Sequence, residues 1–267
     1  MISWLRSILH PTTVKLYPGY EDMLPFMQSL PEAFAHGEGL LIHDGRNQLR
    51  ILEYGSREYV VKSYQVPIFF NRVVYGLFRS SKAERALRNA VRLMQIGIGS
   101  PQPVGFVNIR SGLLFTHSYM VTARSACPYR YDMLLSHPFD CLEQVCREVG
   151  RCTGLLHQHG MYNMDYSRGN ILFDVEPRPL EKDGRFVDVT QEDVQVRLEM
   201  VELNRIRSGR VDISKGCRNF NRLPAHAEMH RWMAEEYARV RGFHVEECYR
   251  LIRHYRLQQP EVEGWER

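Results

Sequence analysis

Residues 157–173, HQHGMYNMDYSRGNILF, are the most informative stretch of the chain. They follow a stretch, residues 139–159, in which Leu142, Val145, Cys146, Val149, Cys152, Leu155 and Leu156 recur at helical spacing, with Gly160 as its stop. They run into the apolar string ILFDV, which reads as a strand. Between helix and strand lies a loop carrying a carboxylate, Asp165, and an amide, Asn170, in the pattern D-x-x-x-x-N. One short loop of this kind places a carboxylate and an amide oxygen close together, and both are hard oxygen donors of the sort a magnesium ion asks for.

Outward from the loop, the C-terminal side continues with a polar hairpin, PRPLEKDGRF, an alternating strand, VQVRLEMVEL, and two helices over 225–241 and 245–257. On the N-terminal side, YEDMLPFMQSLPEAFAHGEG reads as a helix with Pro25 near its first turn and Gly37 at its stop. Three strands follow, GLLIHD, QLRILEY and EYVVKSY, joined by Asp44-Gly45-Arg46-Asn47 and by Gly55-Ser56-Arg57. Residues 80–96 place Ala83, Ala86, Leu87, Ala90, Leu93 and Met94 on one helical face, with Ser80 or Ser81 as the cap. Gly97, Gly99, Pro101 and Pro103 break that helix before two more strands, GFVNIR and LLFTHSYMVT. The expectation is an α+β chain in two lobes: residues 1–120 with an antiparallel sheet of about five strands plus a helix, and a mostly helical 121–267. The turn-rich SACPYRYDMLLSHPFD reads as the passage between them.

At 267 residues, 44% hydrophobic and 25% charged, the composition is that of a globular chain and excludes a disordered tail or a collagen-like rod. Thirty-five Lys and Arg against thirty-one Asp and Glu leave +4, a mild bias suited to an anionic ligand such as a nucleotide or an acidic glycolipid and far from a nucleic-acid-binding tail. Six cysteines without a CxxC pair read as reduced, mostly buried thiols, and a cytoplasmic setting follows as the default. No run of about 18 apolar residues is present. The opening MISWLRSILHP reads as a short helix packed on its own domain, with shallow membrane-surface contact as the alternative.

With these segments in place the chain resembles the lipopolysaccharide kinase (Kdo/WaaP) family of the protein-kinase-like superfamily, over about residues 40–255. The matching stretches are DGRNQLRI, YVVK, NRVVYGLFRSSKAERALRNAVRLMQIGI with SPQPVG, DYSRGNILF, ELNRIRSG and KGCRNFNRL. The resemblance implies a bilobal protein-kinase-like fold, ATP with Mg²⁺ or Mn²⁺, and phosphorylation of a sugar hydroxyl in the lipopolysaccharide inner core, on Kdo or heptose. Asp165 then resembles the catalytic Asp, Asn170 the metal-binding Asn, and Lys62 the strand lysine that clamps the α- and β-phosphates as a point charge. An enzyme with such an acceptor would work at the inner face of the cytoplasmic membrane by peripheral contact.

Three departures from the family pattern stand out. The phosphate-covering hairpin DGRN holds one glycine, so cover would come from a short turn with Arg46. The only carboxylate on the helix that should pair with Lys62 is Glu84, although the apolar phase points Ala86 inward more directly. The second metal ligand, expected as Asp in a D-x-N-R motif, is Glu202 in ELNR, one methylene longer. These departures motivate two other readings, a pseudokinase serving as a nucleotide-binding or nucleotide-independent interaction module with weak or no turnover, and a kinase of another small molecule or protein. His226 and His230 are spaced as metal ligands but lack a third; a surface or capping role is expected. His157 is expected to brace the loop, and Arg250, Arg253, His254 and Arg256 form a basic helix face suited to solvent or to anionic lipid.

Overall fold

The computed structural model describes residues 12–64, 80–111, 114–135, 139, 141–176, 180–182, 185–187 and 194–259. The opening apolar stretch and the NRVVYGLFR segment of the resemblance lie outside the described residues. Two compact units emerge: Met1–Val91 with Pro101–Arg124, and Arg92–Ser100 with Ser125–Arg267.

The first unit is built on strands β1 (Thr12–Leu16), β2 (Leu40–Asp44), β3 (Gln48–Tyr54), β4 (Arg57–Ser63), β5 (Pro103–Ser111) and β6 (Leu114–Ala123). They form one antiparallel sheet in the order β1-β5-β6-β4-β3-β2. The sequence pattern predicts about five strands; the sixth is β1, TTVKL, which pairs only with β5 and has no fully buried position. A five-residue edge strand of that kind carries no alternation strong enough to read.

Helix α1 (Leu24–His36) covers one face of the sheet. Its Phe26, Met27 and Leu30 pack with Leu52, Tyr59, Val61 and Val121. Pro25 sits in the first turn, and Gly37, at φ 70°, closes the end in the left-handed conformation that favours glycine. Arg50 Nη1 donates to the carbonyls of Gly37 at 2.7 Å and Glu38 at 3.0 Å, a cation where the helix leaves carbonyl oxygens behind. Helix α2 (Lys82–Gln95) packs on the opposite face, where Ala83, Ala86 and Leu87 meet Tyr64, Phe106 and Met120. Ser81 is its cap, accepting from the Glu84 N–H at 3.0 Å.

The second unit contains β7 (Tyr129–Arg130), α3 (Leu142–Gln158), β8 (Met161–Asn163), β9 (Ile171–Glu176), the pair β10 (Leu180–Lys182) and β11 (Arg185–Val187), β12 (Gln195–Met200), β13 (Ile206–Ser208), α4 (Ile213–Arg218), α5 (Ala227–Arg241) and α6 (Val245–Leu257). Its core is the packing of α3 on α5, tight enough that a Cβ at Gly150 would lie 2.4 Å from the Met233 carbonyl oxygen. Small sheets, β12-β9-β7 and β13-β8, frame the segment between α3 and β9. Residue 99 joins this unit through a parallel bridge to Glu199; a Cβ there would lie 2.2 Å from the Leu198 carbonyl oxygen, so glycine is required. All six cysteines are buried and unbridged.

Candidate functional site

Alternation along β4 places Lys62. Tyr59 and Val61 are buried against α1, so Lys62 projects to the other face, beside its cross-strand partner Met120, which packs on α2. Its ammonium lies 5.3 Å from the centre of the Tyr64 ring. Glu84 stands in the first turn of α2, where its carboxylate accepts from Ser80 Oγ at 3.2 Å. Ala86, not Glu84, is the position driven into the core, as the apolar phase predicts. Arg46 lies exposed on the β2–β3 hairpin, whose turn is closed by a hydrogen bond from the Gly45 N–H to the Asn47 carbonyl at 3.3 Å. Lys62, Arg46 and Glu84 therefore all belong to the first unit.

In the second unit the loop after β8 is held by its own amides. Asn163 Oδ1 accepts from the Asp165 N–H at 2.9 Å, and Asn170 Nδ2 donates to the Asp165 carbonyl at 2.7 Å. The second bond uses the Asn170 amide nitrogen, so Oδ1 is the atom of that side chain able to take a metal. Tyr166, fully buried, anchors the loop through its hydroxyl to Thr153 at 2.7 Å.

Pairing of β9 with β12 then sets Asn170 beside Glu202. The register ends at Ile171 opposite Met200, and one further bond runs from the Val201 N–H to the Asn170 carbonyl at 3.0 Å. Asn170 precedes β9 by one residue and Glu202 follows β12 by two, so an antiparallel pair brings the two residues to one end. Glu202 is the sole non-glycine residue with positive φ among the described residues, at φ 60° and ψ 46°. A side chain in that region costs about 1–3 kcal/mol and is kept where the surroundings demand it.

The Asp165 carboxylate is partly exposed and faces two guanidiniums. Arg222 Nη1 lies 2.9 Å from Oδ1 and Arg205 Nη1 3.7 Å from Oδ2. Behind it runs a buried polar chain. Asn219 Nδ2 donates to the Asn163 carbonyl at 2.9 Å, which turns Asn219 Oδ1 toward His157 Nε2 at 3.0 Å. Nε2 is therefore the donor, and Nδ1 accepts from the Tyr237 hydroxyl at 3.0 Å. Burial pushes His157 down to about 3, partly opposed by the Asn219 bond, so the ring stays neutral and serves as the brace expected of it. A Cβ at residue 216 would lie 1.9 Å from the Tyr237 hydroxyl, which fixes glycine there. Sequence reasoning missed Asn163, Asn219 and Arg222. Of the three only Asn163, two residues before Asp165 in N-M-D, carried a local signal, because Asn side chains bond backbone two residues on.

The donor set fits a hard divalent cation. An amide oxygen and a carboxylate at neighbouring strand ends leave the remaining positions for water and phosphate oxygens, which is how magnesium is usually held. Among the described residues no group of three His, Cys, Asp and Glu side chains converges, and His230, one half of the H-x-x-x-H spacing, is fully buried in α5 while His226 is exposed at that helix's N-cap.

No protein-family model matches the sequence, and no curated protein matches it. Solved structures do. A structure of WaaP in complex with acyl carrier protein aligns over 92% of this chain and 97% of its own, at a TM-score of 0.58 and 17% identity. This chain has a protein-kinase-like fold. The kinase-like α+β architecture implied by the resemblance is thus the one observed. Two further matches are a Rio2 kinase–ADP/Mg²⁺–phosphoaspartate complex from Chaetomium thermophilum (10% identity, TM-score 0.45, 94% of this chain and 74% of the other) and WbdD with a kinase inhibitor (13%, 0.42, 83% and 46%).

Proposed function

We propose that this protein transfers the γ-phosphoryl group of ATP to a sugar hydroxyl, that of Kdo or heptose in a lipopolysaccharide inner core. The observation that carries the reading is the Asn170 carbonyl to Val201 N–H bond, which couples the Asp165 loop to Glu202 on a kinase-like fold. In this reading Lys62 anchors the α- and β-phosphates, with Arg46 over them and Glu84 as the helix acid beside Lys62. Asn170 and Glu202 hold Mg²⁺ or Mn²⁺, whose charge offsets that of the phosphates when bound.

Asp165 orients the acceptor hydroxyl and takes its proton as the new P–O bond forms and the bond to the bridging oxygen of ADP breaks. Most of the rate comes from positioning and charge neutralisation, so the braces on Asp165 and Asn170 matter as much as the groups themselves. The acceptor would be met at the inner face of the cytoplasmic membrane by peripheral contact; no helix among the described residues is long and apolar enough to cross a membrane.

Transfer of labelled phosphate from ATP to purified, deacylated lipopolysaccharide core tests this. The expected result is Mg²⁺- or Mn²⁺-dependent labelling that falls by about 10²–10⁴ in Asp165→Ala; no labelling of any inner-core acceptor would refute it. Glu202 in place of Asp favours one second reading, a pseudokinase that binds nucleotide as an interaction module, for which nucleotide binding without transfer is the expected outcome.

A further inference from the structure

Asp165 is one carboxylate facing two cations, and the surplus is the informative part. Arg222 spends one N–H on Oδ1 at 2.9 Å, while Arg205, at 3.7 Å from Oδ2, is outside hydrogen-bond distance. The side chains of Arg222 and Arg205 are 49% and 57% exposed, against 24% for Asp165. Ion pairs so open to solvent add little stability, so holding the fold together is a poor account of them.

Their placement is nevertheless fixed from behind. Asn163 holds the Asp165 N–H and also accepts from Asn219, three residues before Arg222, and the Arg205 carbonyl accepts from the Met164 N–H at 3.3 Å. The charge is concentrated as well. Residues 203–223 contain five Arg and one Lys, all exposed, against the single acid Asp212, in a chain whose whole excess is +4. Leu203, Ile206, Val211, Cys217, Phe220 and Leu223 are the buried pegs that turn those cations outward.

A guanidinium presents a planar fork that matches a carboxylate or a phosphate in two parallel bonds. We propose that Arg222, assisted by Arg205, is the acceptor's anion-binding residue, and that Asp165 holds one N–H of its fork in the free protein. An anion taking that fork lies within a guanidinium's width of Asp165, so the acceptor hydroxyl sits only a few bonds from a carboxylate or phosphate on the same sugar. Binding of the anion then releases Asp165 to the hydroxyl, and a neutral sugar leaves it engaged. This rests on the phosphotransferase reading for the role of the hydroxyl; the anion site itself does not.

The test is calorimetric titration of the full chain with inorganic phosphate, D-glucuronate and D-glucose, with Mg²⁺ and a non-hydrolysable ATP analogue present, and again in the Lys62→Ala background. The expected result is binding of phosphate or glucuronate but not glucose, weakened tenfold or more in Arg222→Gln and by added salt. Phosphate alone binding indicates a phosphorylated sugar, glucuronate alone a sugar acid. Asp165→Asn should tighten anion binding severalfold, because the competing carboxylate is gone; a purely structural pair would give no such gain. Equal binding of glucose and glucuronate, no anion binding, or wild-type affinity in both Arg222→Gln and Asp165→Asn would overturn the proposal. Arg222-dependent anion binding without nucleotide binding would sink the phosphotransferase reading and leave this one standing. Unfolding midpoints confirm that each variant is folded.

Discussion

Glu202 concentrates the question of turnover in one side chain. Its carboxylate is one methylene longer than the expected Asp, and its backbone sits at φ 60°, where Asp and Asn are tolerated better than Glu. Shortening the side chain therefore returns the carboxylate toward the strand end and eases the backbone together. Glu202→Asp is expected to raise the rate of phosphate transfer severalfold and lower the Mg²⁺ concentration needed for half-maximal rate; an unchanged or lower rate would remove Glu202 from the metal site. At this scale the sequence was informative where partners are close along the chain. Asp165 and Asn170 share one loop, so their spacing, read together with the flanking helix and strand and the family resemblance, singles them out. Arg222 meets Asp165 across 57 residues, a distance that only the packing of α3, α4 and α5 closes, and no local pattern announces it.

Among the elements, the junction of α3 with α5 carries the sharpest steric condition. Replacing a helical glycine by alanine ordinarily adds up to about 1 kcal/mol of stability. At Gly150 the new Cβ would lie 2.4 Å from the Met233 carbonyl, a backbone atom that moves only if the helix moves. Overpacking of this kind costs about 1–3 kcal/mol and outweighs the propensity gain. Gly150→Ala should lower the urea unfolding free energy by about 1–2 kcal/mol, and a stabilised variant would show that the helices part more readily than their packing indicates. The elements with strong periodicity, α1, α2, α3, α5 and α6, were legible to within a few residues, and the Asp44–Asn47 turn between β2 and β3 was read correctly from its Asp-Gly. Helix α4 was not expected, because ISKGCR is six residues with Gly216 inside it and no apolar stripe. It exists because Asp212 caps it, accepting from the Lys215 N–H at 2.8 Å, and because Gly216 fits under Tyr237.

For the whole molecule, two buried histidines set the response to acid. Burial pushes His157 down to about 3 and His230 to about 4, both below the unfolded value of about 6.5. Between those limits the unfolded chain binds more protons than the folded one, so stability is full above about pH 6.5 and falls as pH drops toward the folded values. Each histidine can contribute up to about 1.4 kcal/mol per pH unit over that window. Urea midpoints at pH 7.5, 6 and 5 should fall progressively, and His230→Leu should flatten the slope by about half; a pH-independent midpoint would contradict the buried, neutral assignment.

The two-lobed α+β organisation was legible from the order of elements, and the kinase-like fold from the resemblance carried by local stretches such as YVVK and DYSRGNILF. The assignment of contacts was not: the Asn163–Asn219–His157–Tyr237 chain joins β8, α3, α5 and the turn after α4, and it becomes visible only once those elements are packed.

In the proposed function nucleotide would be bound through Lys62 and metal through the strand ends around Asn170 and Glu202. Thermal unfolding with and without ATP and Mg²⁺ or Mn²⁺ tests it most directly, in the wild type, Lys62→Ala and Asp165→Ala. A ligand at 100 times its dissociation constant stabilises by about 2.7 kcal/mol, which reads as a rise of several degrees in Tm. The account predicts a metal-dependent rise that is lost in Lys62→Ala and kept in Asp165→Ala. No rise with any nucleotide, or a rise indifferent to Lys62, would contradict it.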